Sequence, residues 1–352
     1  MMEDELKKVV RDNYGINIEN AQILSGGWMN KKYAIDDEKG KKYMVKLFSP
    51  DKVKKMSNGE FSTDYLDNQI ANNLKIENFM HELGLNCERI NLTNGKNVLC
   101  RYGTYRVAVI DFLDGEYISR DNMNGIKLHN LGQECAKMHQ IFQSIDSAPY
   151  IGNYLKIPTI EQLYNRYQNK ANAQTNKSSK QYSDLLYYQK MGLLMLEKSN
   201  ILSEIPICLT HGDFADDNIL FLGNIPYILD FELVRLNSPL LDIGRILMSY
   251  CFEENNLNYK KIEAFMLGYN KVSTINEKDI LLSFVTLWVN EVDMWIKENY
   301  FNKEITAKAK RFQEELIYLT YNLPSLIRDY KENKELKQCC KSYSRKRSVP
   351  KC

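Results

Sequence analysis

The chain has 352 residues, 44% of them hydrophobic, with 47 Lys and Arg against 45 Asp and Glu. At roughly 100–200 residues per domain this length predicts two domains or two lobes, and the ordinary composition excludes collagen-like, coiled-coil and wholly disordered chains. No stretch approaches about 18 consecutive apolar residues, which excludes a membrane-spanning helix, and the N-terminal MMEDELKKVVRDNYG lacks the apolar core of a cleaved signal.

Residues 1–14 read as a short amphipathic helix with Leu6, Val9 and Val10 on its apolar side. Alternation then takes over. Ala21–Leu24 leads into Ser25-Gly26-Gly27, followed by a strand carrying Met29, Tyr33 and Ile35; the turn Asp36–Gly40 reverses the chain into Tyr43–Phe48. A polar stretch precedes a helix over 66–83 that Gly84 can cap. A hairpin about Gly103 joins 98–102 to 105–110. The expectation is a five-stranded antiparallel sheet with one helix, a lobe of residues 1–112.

After Asp114-Gly115 the pattern turns helical, with segments at 126–142, 159–172 and 181–199. A β-rich island at 207–231 interrupts before helices resume at 256–271, 276–298 and 304–330. Sheet first and helices second, with one β island, predicts a bilobal α+β chain hinged at Asp111–Gly115, its second lobe spanning 113–330. The last 22 residues carry eight basic and two acidic side chains and read as a solvated tail with no specific nucleic-acid partner. Eight cysteines without a CxxC pair speak against zinc and for reduced thiols in the cytoplasm.

Candidate chemistry begins at Ser25, Gly26 and Gly27, a turn whose glycines lack a Cβ and so let backbone N–H groups approach phosphates. Lys46 lies in the third strand, opposite in direction to Val45 and Leu47, where it can reach the α- and β-phosphates. Its expected acidic partner is Glu77 in the following helix, with Glu60 and Glu82 as rivals. The most specific stretch is LTHGDFADDNILF. Asp213 and Asn218 have the separation of the phosphoryl-transfer loop H-R-D-x-x-x-x-N, with Gly for Arg. That chemistry needs a carboxylate for the attacking hydroxyl and an amide oxygen for a cation. A hairpin centred on Asn224 places Asn218 opposite Asp230, and Asp230-Phe231-Glu232 then occupies the place of D-F-G, with Asp230 as metal carboxylate. His139 and His211 read as packing and loop-shaping residues.

Over residues 20–320 the chain resembles the aminoglycoside phosphotransferase/choline kinase superfamily, which includes homoserine kinase-like and spore-coat branches. The resemblance rests on LSGGWMN, YMVKLF, IDFLDGE, LGQECAKMH, HGDFADDN and ILDFELVRLNSPLLDIGRIL. It implies a protein-kinase-like fold, MgATP, and transfer of the γ-phosphoryl group to a hydroxyl of a small molecule such as an amino alcohol or aminoglycoside. It implies Asp213 as catalytic base, Asn218 and Asp230 as Mg²⁺ ligands, and Lys46 as the phosphate lysine. Ser25, Gly26, Gly27, Asn30, Glu77, Asp111 and Leu113 fall among its nucleotide-site positions, and Asp242 matches a loop-ordering Asp. The chain departs from G-x-G-x-x-G in its glycine turn.

Only 11 residues separate Asp230 from Asp242 and no A-P-E follows, which leaves no peptide platform and speaks against a Ser/Thr protein kinase. The other alternative is a non-catalytic, structural kinase-fold protein of the spore-coat type. Leu281, Phe284, Trp288, Val292 and Trp295 form an apolar stripe bordered by Glu291, and Asp216 and Asp217 adjoin the base. This pattern suits either a core helix or a cationic acceptor.

Overall fold

The computed structural model describes residues 2–24, 30–49, 63–147, 157–174 and 179–332. Ser25, Gly26, Gly27, Glu60 and the tail beyond 332 lie outside them. The chain forms two compact units: Met1–Glu116 with Leu220–Gly223 and Tyr227–Leu233, and Tyr117–Ile219 with Asn224–Pro226 and Val234–Cys352.

In the first unit, α1 (Met2–Tyr14) precedes β1 (Ile18–Leu24), β2 (Lys31–Asp37) and β3 (Lys42–Phe48). Next come α2 (Thr63–Glu82), β4 (Ile90–Asn91), β5 (Cys100–Tyr102) and β6 (Tyr105–Asp111). The antiparallel sheet runs β1-β2-β3-β6-β4, with β5 also on β6. It has six strands where the alternation predicts five, because a two-residue strand carries no readable period. Side chains alternate across a sheet. Tyr43, Val45, Leu47, Val107 and Val109 therefore share one core with Leu6 and Val10 of α1. Phe48, Ala108 and Ile110 share the other with Leu74 of α2. Lys46 follows the second parity, and Gly84 at φ +85° ends the α2 segment.

The second unit contains α3 (Gly125–Ser144), α4 (Ile160–Ala173), α5 (Lys180–Ser199) and β7 (Cys208–Thr210). The hairpin strands β8 (Ile219–Leu222) and β9 (Ile225–Ile228) turn at Gly223-Asn224, and β10 (Arg235–Asn237) returns antiparallel to β7. Then follow α6 (Pro239–Cys251), β11 (Phe252–Glu253), β12 (Asn256–Leu257), α7 (Tyr259–Tyr269), α8 (Glu277–Trp295) and α9 (Ala307–Glu332). Helix α6 has no counterpart in the sequence reading: residues 240–251 are all buried, the polar Asp242, Arg245 and Ser249 among them, so no solvent-facing side marks it as a surface helix. Its start is set by Ser238, whose hydroxyl accepts from the Leu240 amide, and by Pro239 in the first turn.

Helices α3 and α7 meet across two glycines. A Cβ on Gly268 would stand 1.7 Å from the His129 carbonyl, and one on Gly132 would stand 2.1 Å from that of Phe265. Only glycine permits this approach, and it brings His139 of α3 to Tyr269 of α7.

Most of this hairpin, Leu220–Gly223 and Tyr227–Leu233, belongs to the first unit and is held within it by backbone bonds. Glu116 and Phe221 exchange N–H···O bonds of 3.0 and 2.9 Å, and the Ile228 amide donates to Asn86 at 2.9 Å. Asn218 ends a 3₁₀ turn before β8, and Asp230 lies beyond β9 at φ +68°. Neither belongs to a strand, so the cross-strand pairing expected for them does not extend that far.

Candidate active site

Lys46 sits on the face of β3 shared with Phe48, opposite Lys32 of β2 and Ala108 of β6. Its side chain is 1% exposed. A buried ammonium survives only when paired, and its Nζ lies 3.4 Å from Glu88, 3.5 Å from Glu232 and 3.6 Å from Asp230. Two lysines directly opposite on adjacent strands repel. Asp230 offsets this by bridging them, one carboxylate oxygen toward Lys46 and the other 3.2 Å from Lys32. The Asn30 amide donates to Glu232 Oε2, and the Asn73 amide to the Glu232 carbonyl at 2.7 Å.

Glu77 is fully buried, yet neither carboxylate oxygen has a hydrogen-bond partner. Its charge bears on Lys46, but the ion pair at Nζ goes to Glu88, which stands outside the motifs. Four acidic side chains thus face two lysines. Burial alone would lower the Lys46 ammonium, but Asp230, Glu88 and Glu232 outweigh it and hold it well above its ordinary range. Burial would raise the Asp230 carboxyl; Lys46 and Lys32 overcome this and hold it far below. Burial, Glu88 and Asp230 push Glu77 well up. Burial and the Asp230 charge push Glu232 from 4.5 to about 8.

Glu77 Oε1 and Oε2 have no hydrogen-bond partner and Glu232 Oε1 has only the Lys46 ammonium, 3.5 Å away; such buried oxygen donors fit a hard divalent cation such as Mg²⁺. Among the described residues no group of three or more His, Cys, Asp or Glu forms a ready metal cage. Mg²⁺ bound through one or two carboxylates and the phosphates of a nucleotide needs none.

A raised carboxyl stabilises the fold below its unfolded pKa and loses that contribution as pH rises through the folded value. For Glu232 the window runs from 4.5 to about 8, and Glu77 acts with the same sign. Without nucleotide, unfolding free energy should therefore fall with rising pH across it, by at most about 1.4 kcal/mol per pH unit per group. Urea titrations from about pH 5 to about pH 8 measure this. Glu232→Gln should flatten the slope; an unchanged slope contradicts the assignment.

The second group of residues lies in the second unit, on the loop between β7 and β8. Gly212 adopts φ +80°, a left-handed turn that suits glycine. Asp242, 1% exposed near the start of α6, accepts the His211 amide at 3.0 Å and the Gly212 amide at 3.2 Å. It also meets His139 Nε2 at 3.3 Å, while His139 Nδ1 lies 3.0 Å from the Tyr269 hydroxyl. His211 Nδ1 accepts the Asp213 amide at 3.3 Å, and Arg235 donates to the Gly212 carbonyl at 2.9 Å. The Asn218 amide nitrogen then donates to the Asp213 carbonyl at 2.8 Å and to its carboxylate at 3.1 Å. Asp213 and Asn218 are thereby brought together, with the Asn218 amide oxygen left for another partner.

Asp111 spends its carboxylate on Asn91 (3.0 Å), Lys41 (3.3 Å) and Arg89 (3.8 Å). Leu113 is half-buried in the extended segment after β6. The residues read as suited to a cationic acceptor are already engaged. Leu281, Phe284, Trp288 and Val292 are core, and Glu291 is bound by Arg245 and by Trp295 Nε1. Asp216 pairs with Arg311 and Asp217 with Lys308. Glu88, Lys32, Arg235 and Arg311 escaped the sequence reading. Strand register alone could have found Lys32; the others have no local signal.

A six-stranded antiparallel sheet with a buried lysine, followed by a helical unit with an Asp213–Asn218 loop, defines the α+β kinase-like fold. The chain belongs to the phosphotransferase enzyme family (APH), whose model matches residues 20–265. A homoserine kinase of Rhodopseudomonas palustris (strain TIE-1) is 25% identical over 200 residues, 56% of this chain and 58% of that protein. The match thus spans less than two thirds of that relative's length. An amicoumacin kinase in complex with AMP-PNP and Ca²⁺ shares the fold at a TM-score of 0.61 and 13% identity, over 96% of this chain and 95% of that one. Spectinomycin phosphotransferase APH(9)-Ia, in complex with ADP and spectinomycin, gives 0.56 at 16%, over 91% and 98%. Among the described residues no helix is long and apolar enough to cross a membrane.

Proposed function

We propose that the protein is an Mg²⁺- and ATP-dependent kinase that transfers the γ-phosphoryl group to a hydroxyl of a small molecule. The observation that carries this reading is the Asp213 loop. The backbone that carries this half-exposed carboxylate is held by Asp242 through two amides, by His211 and by Arg235, and the carboxylate itself accepts from Asn218. Rigid placement of one group is what phosphoryl transfer asks of a protein. Asp213 orients the attacking hydroxyl and takes its proton as the new O–P bond forms and the bond to ADP breaks. Asn218 and Asp230 would hold Mg²⁺, which would supply neutralisation of phosphate charge. Lys46, kept cationic by its carboxylates, pairs with the phosphates, and Asn30, Glu77, Asp111 and Leu113 belong to the nucleotide side; Ser25, Gly26 and Gly27, outside the described residues, are assigned to phosphate binding from the sequence.

A small acceptor is favoured by the 11 residues between Asp230 and Asp242. They are used up by the 3₁₀ turn Phe231–Leu233, by β10 and by the start of α6, which leaves no segment to carry a peptide. ADP release from MgATP should rise severalfold or more over the no-acceptor rate with one class in a panel of hydroxy amino acids, amino alcohols, aminoglycosides and sugars. The homoserine kinase relative places hydroxy amino acids first in that panel. A chain that binds Mg·AMP-PNP but is stimulated by none would need a wider panel. A chain that binds no nucleotide would support the structural alternative.

A further inference from the structure

The loop that carries Asp213 is also gripped from the far end of the sequence. Helix α9 begins at Ala307, and Arg311 in its second turn forks onto the Asp216 carboxylate, Nη2 lying 2.6 Å from Oδ1. Asp216 opens the 3₁₀ turn that ends in Asn218, so it lies between the Asp213 carboxylate and the Asn218 amide whose separation matters. The Asp216 carbonyl is also 3.5 Å from the hydroxyl of Tyr250, which is fully buried. Arg311 is itself backed by Glu315, one helical turn on, at 3.9 Å. Glu315 is fully buried and shared with Arg245 and Arg120, and Arg245 continues to Glu291. Asp216 is therefore one end of a charge network rooted in α6, α8 and α9.

Magnitudes separate this pair from its neighbour. The Asp216 and Arg311 side chains are 14% and 27% exposed, and a guanidinium fork fixes direction as well as distance. Lys308 and Asp217 are 42% and 47% exposed, and exposed pairs of that kind contribute little. We infer that Arg311 is a positioning residue for phosphoryl transfer, which holds the Asp213–Asn218 loop in register through Asp216. This rests on the kinase reading for its activity readout only.

Hydrogen exchange of the intact chain tests it without an acceptor. Two loop bonds report directly, Ala215 N–H to the Asp213 carbonyl at 2.9 Å and Asn218 N–H to the Ala215 carbonyl at 3.0 Å. In Arg311→Ala and in Asp216→Asn, peptides covering 213–218 should exchange at least about tenfold faster, while the core of α8 keeps its protection. The double variant should be no faster than either single one, because both remove one interaction. Arg311→Lys, which keeps charge and loses the fork, should lie between and guards against misfolding of the Ala variant; Lys308→Ala should match wild type.

With an acceptor that turns over, kcat of Arg311→Ala should fall about 10- to 100-fold with the KM for ATP nearly unchanged. Unchanged loop exchange in both Arg311 variants, or additive effects in the double variant, overturns the inference. Faster loop exchange in a chain that transfers to no acceptor would leave the clamp standing and count against the kinase reading instead.

Discussion

Replacing Asp213 by Ala should cut phosphoryl transfer by about 10³-fold or more and leave Mg·AMP-PNP affinity within a few fold of wild type. The asymmetry follows from where the groups lie in the chain. Asp213 belongs to the second unit, and Lys46, Asp230, Glu232 and Glu88 belong to the first, so the substitution leaves the charge cluster around Lys46 whole. The loop itself should persist. Its amides at His211 and Gly212 are held by Asp242, and its backbone carbonyls still accept from Arg235 and Asn218. Only the carboxylate contact to Asn218 at 3.1 Å disappears. Asp213→Asn keeps the volume and that polar contact but not the basic oxygen, so it should be nearly as inactive. Steady-state ADP release with a turning-over acceptor gives the first number and calorimetric titration with Mg·AMP-PNP the second. An Asp213→Asn variant with most of its activity would mean that the loop positions substrate without taking a proton.

Lys46→Met should act on both stability and binding, and its effect on stability is the larger of any single change considered. Removal leaves Glu88 and Glu232 without their buried ammonium and Asp230 with Lys32 alone, while Glu77 already lacks a hydrogen-bond partner. Breaking a buried pair on one side costs about 3–5 kcal/mol, since the remaining charge is stranded. The carboxylates can escape by protonation, which fixes the sign of the pH dependence. In wild type the Lys46 ammonium is raised above its ordinary 10.5, so its contribution is present at all pH values below that and fades only above. In Lys46→Met the stranded carboxyls shift upward, and the deficit should shrink as pH falls toward about 5 and widen toward about 8. Affinity for Mg·AMP-PNP should drop at least about tenfold at neutral pH. Lys41→Ala is a control. Its pairing with Asp111 is on a side chain 53% exposed, and its loss should cost under about 0.5 kcal/mol. Denaturant titrations of the three proteins at two pH values decide the matter. A Lys46→Met deficit that is small, or indifferent to pH, would mean that the carboxylates around Lys46 find other partners when it is gone.

The first unit was legible in outline because its strands have one core face each way. Val45, Leu47, Val107 and Val109 on one parity and Phe48, Ala108 and Ile110 on the other are what period two predicts. That same parity sends Lys46 to the α2 face, and the D-F-E spacing brought Asp230 into view. What pattern could not show is partner choice. Glu77 has the helical setting expected of the lysine's partner, yet Glu88, between α2 and β4, makes the 3.4 Å contact. Tertiary approach across 42 residues leaves no mark on local sequence. Likewise Glu291 reads as an edge acid beside an aromatic stripe, and Asp216 and Asp217 as acids beside the base, whereas Arg245, Arg311 and Lys308 claim them from other helices. Helix α6 was invisible for the opposite reason, having a buried surface all round. The two glycines between α3 and α7 look incidental in sequence; their meaning appears only when two backbones meet.

The most direct test of the central claim follows the γ-phosphate itself. ATP labelled at that position, Mg²⁺ and the acceptor panel are incubated with wild type and with Asp213→Ala, and the label is traced to small molecule, protein and free phosphate. A small-molecule kinase moves label to one acceptor class with wild type and to none with the variant. Label recovered in protein alone, equal transfer by the Asp213→Ala chain, or no nucleotide binding by wild type would contradict it.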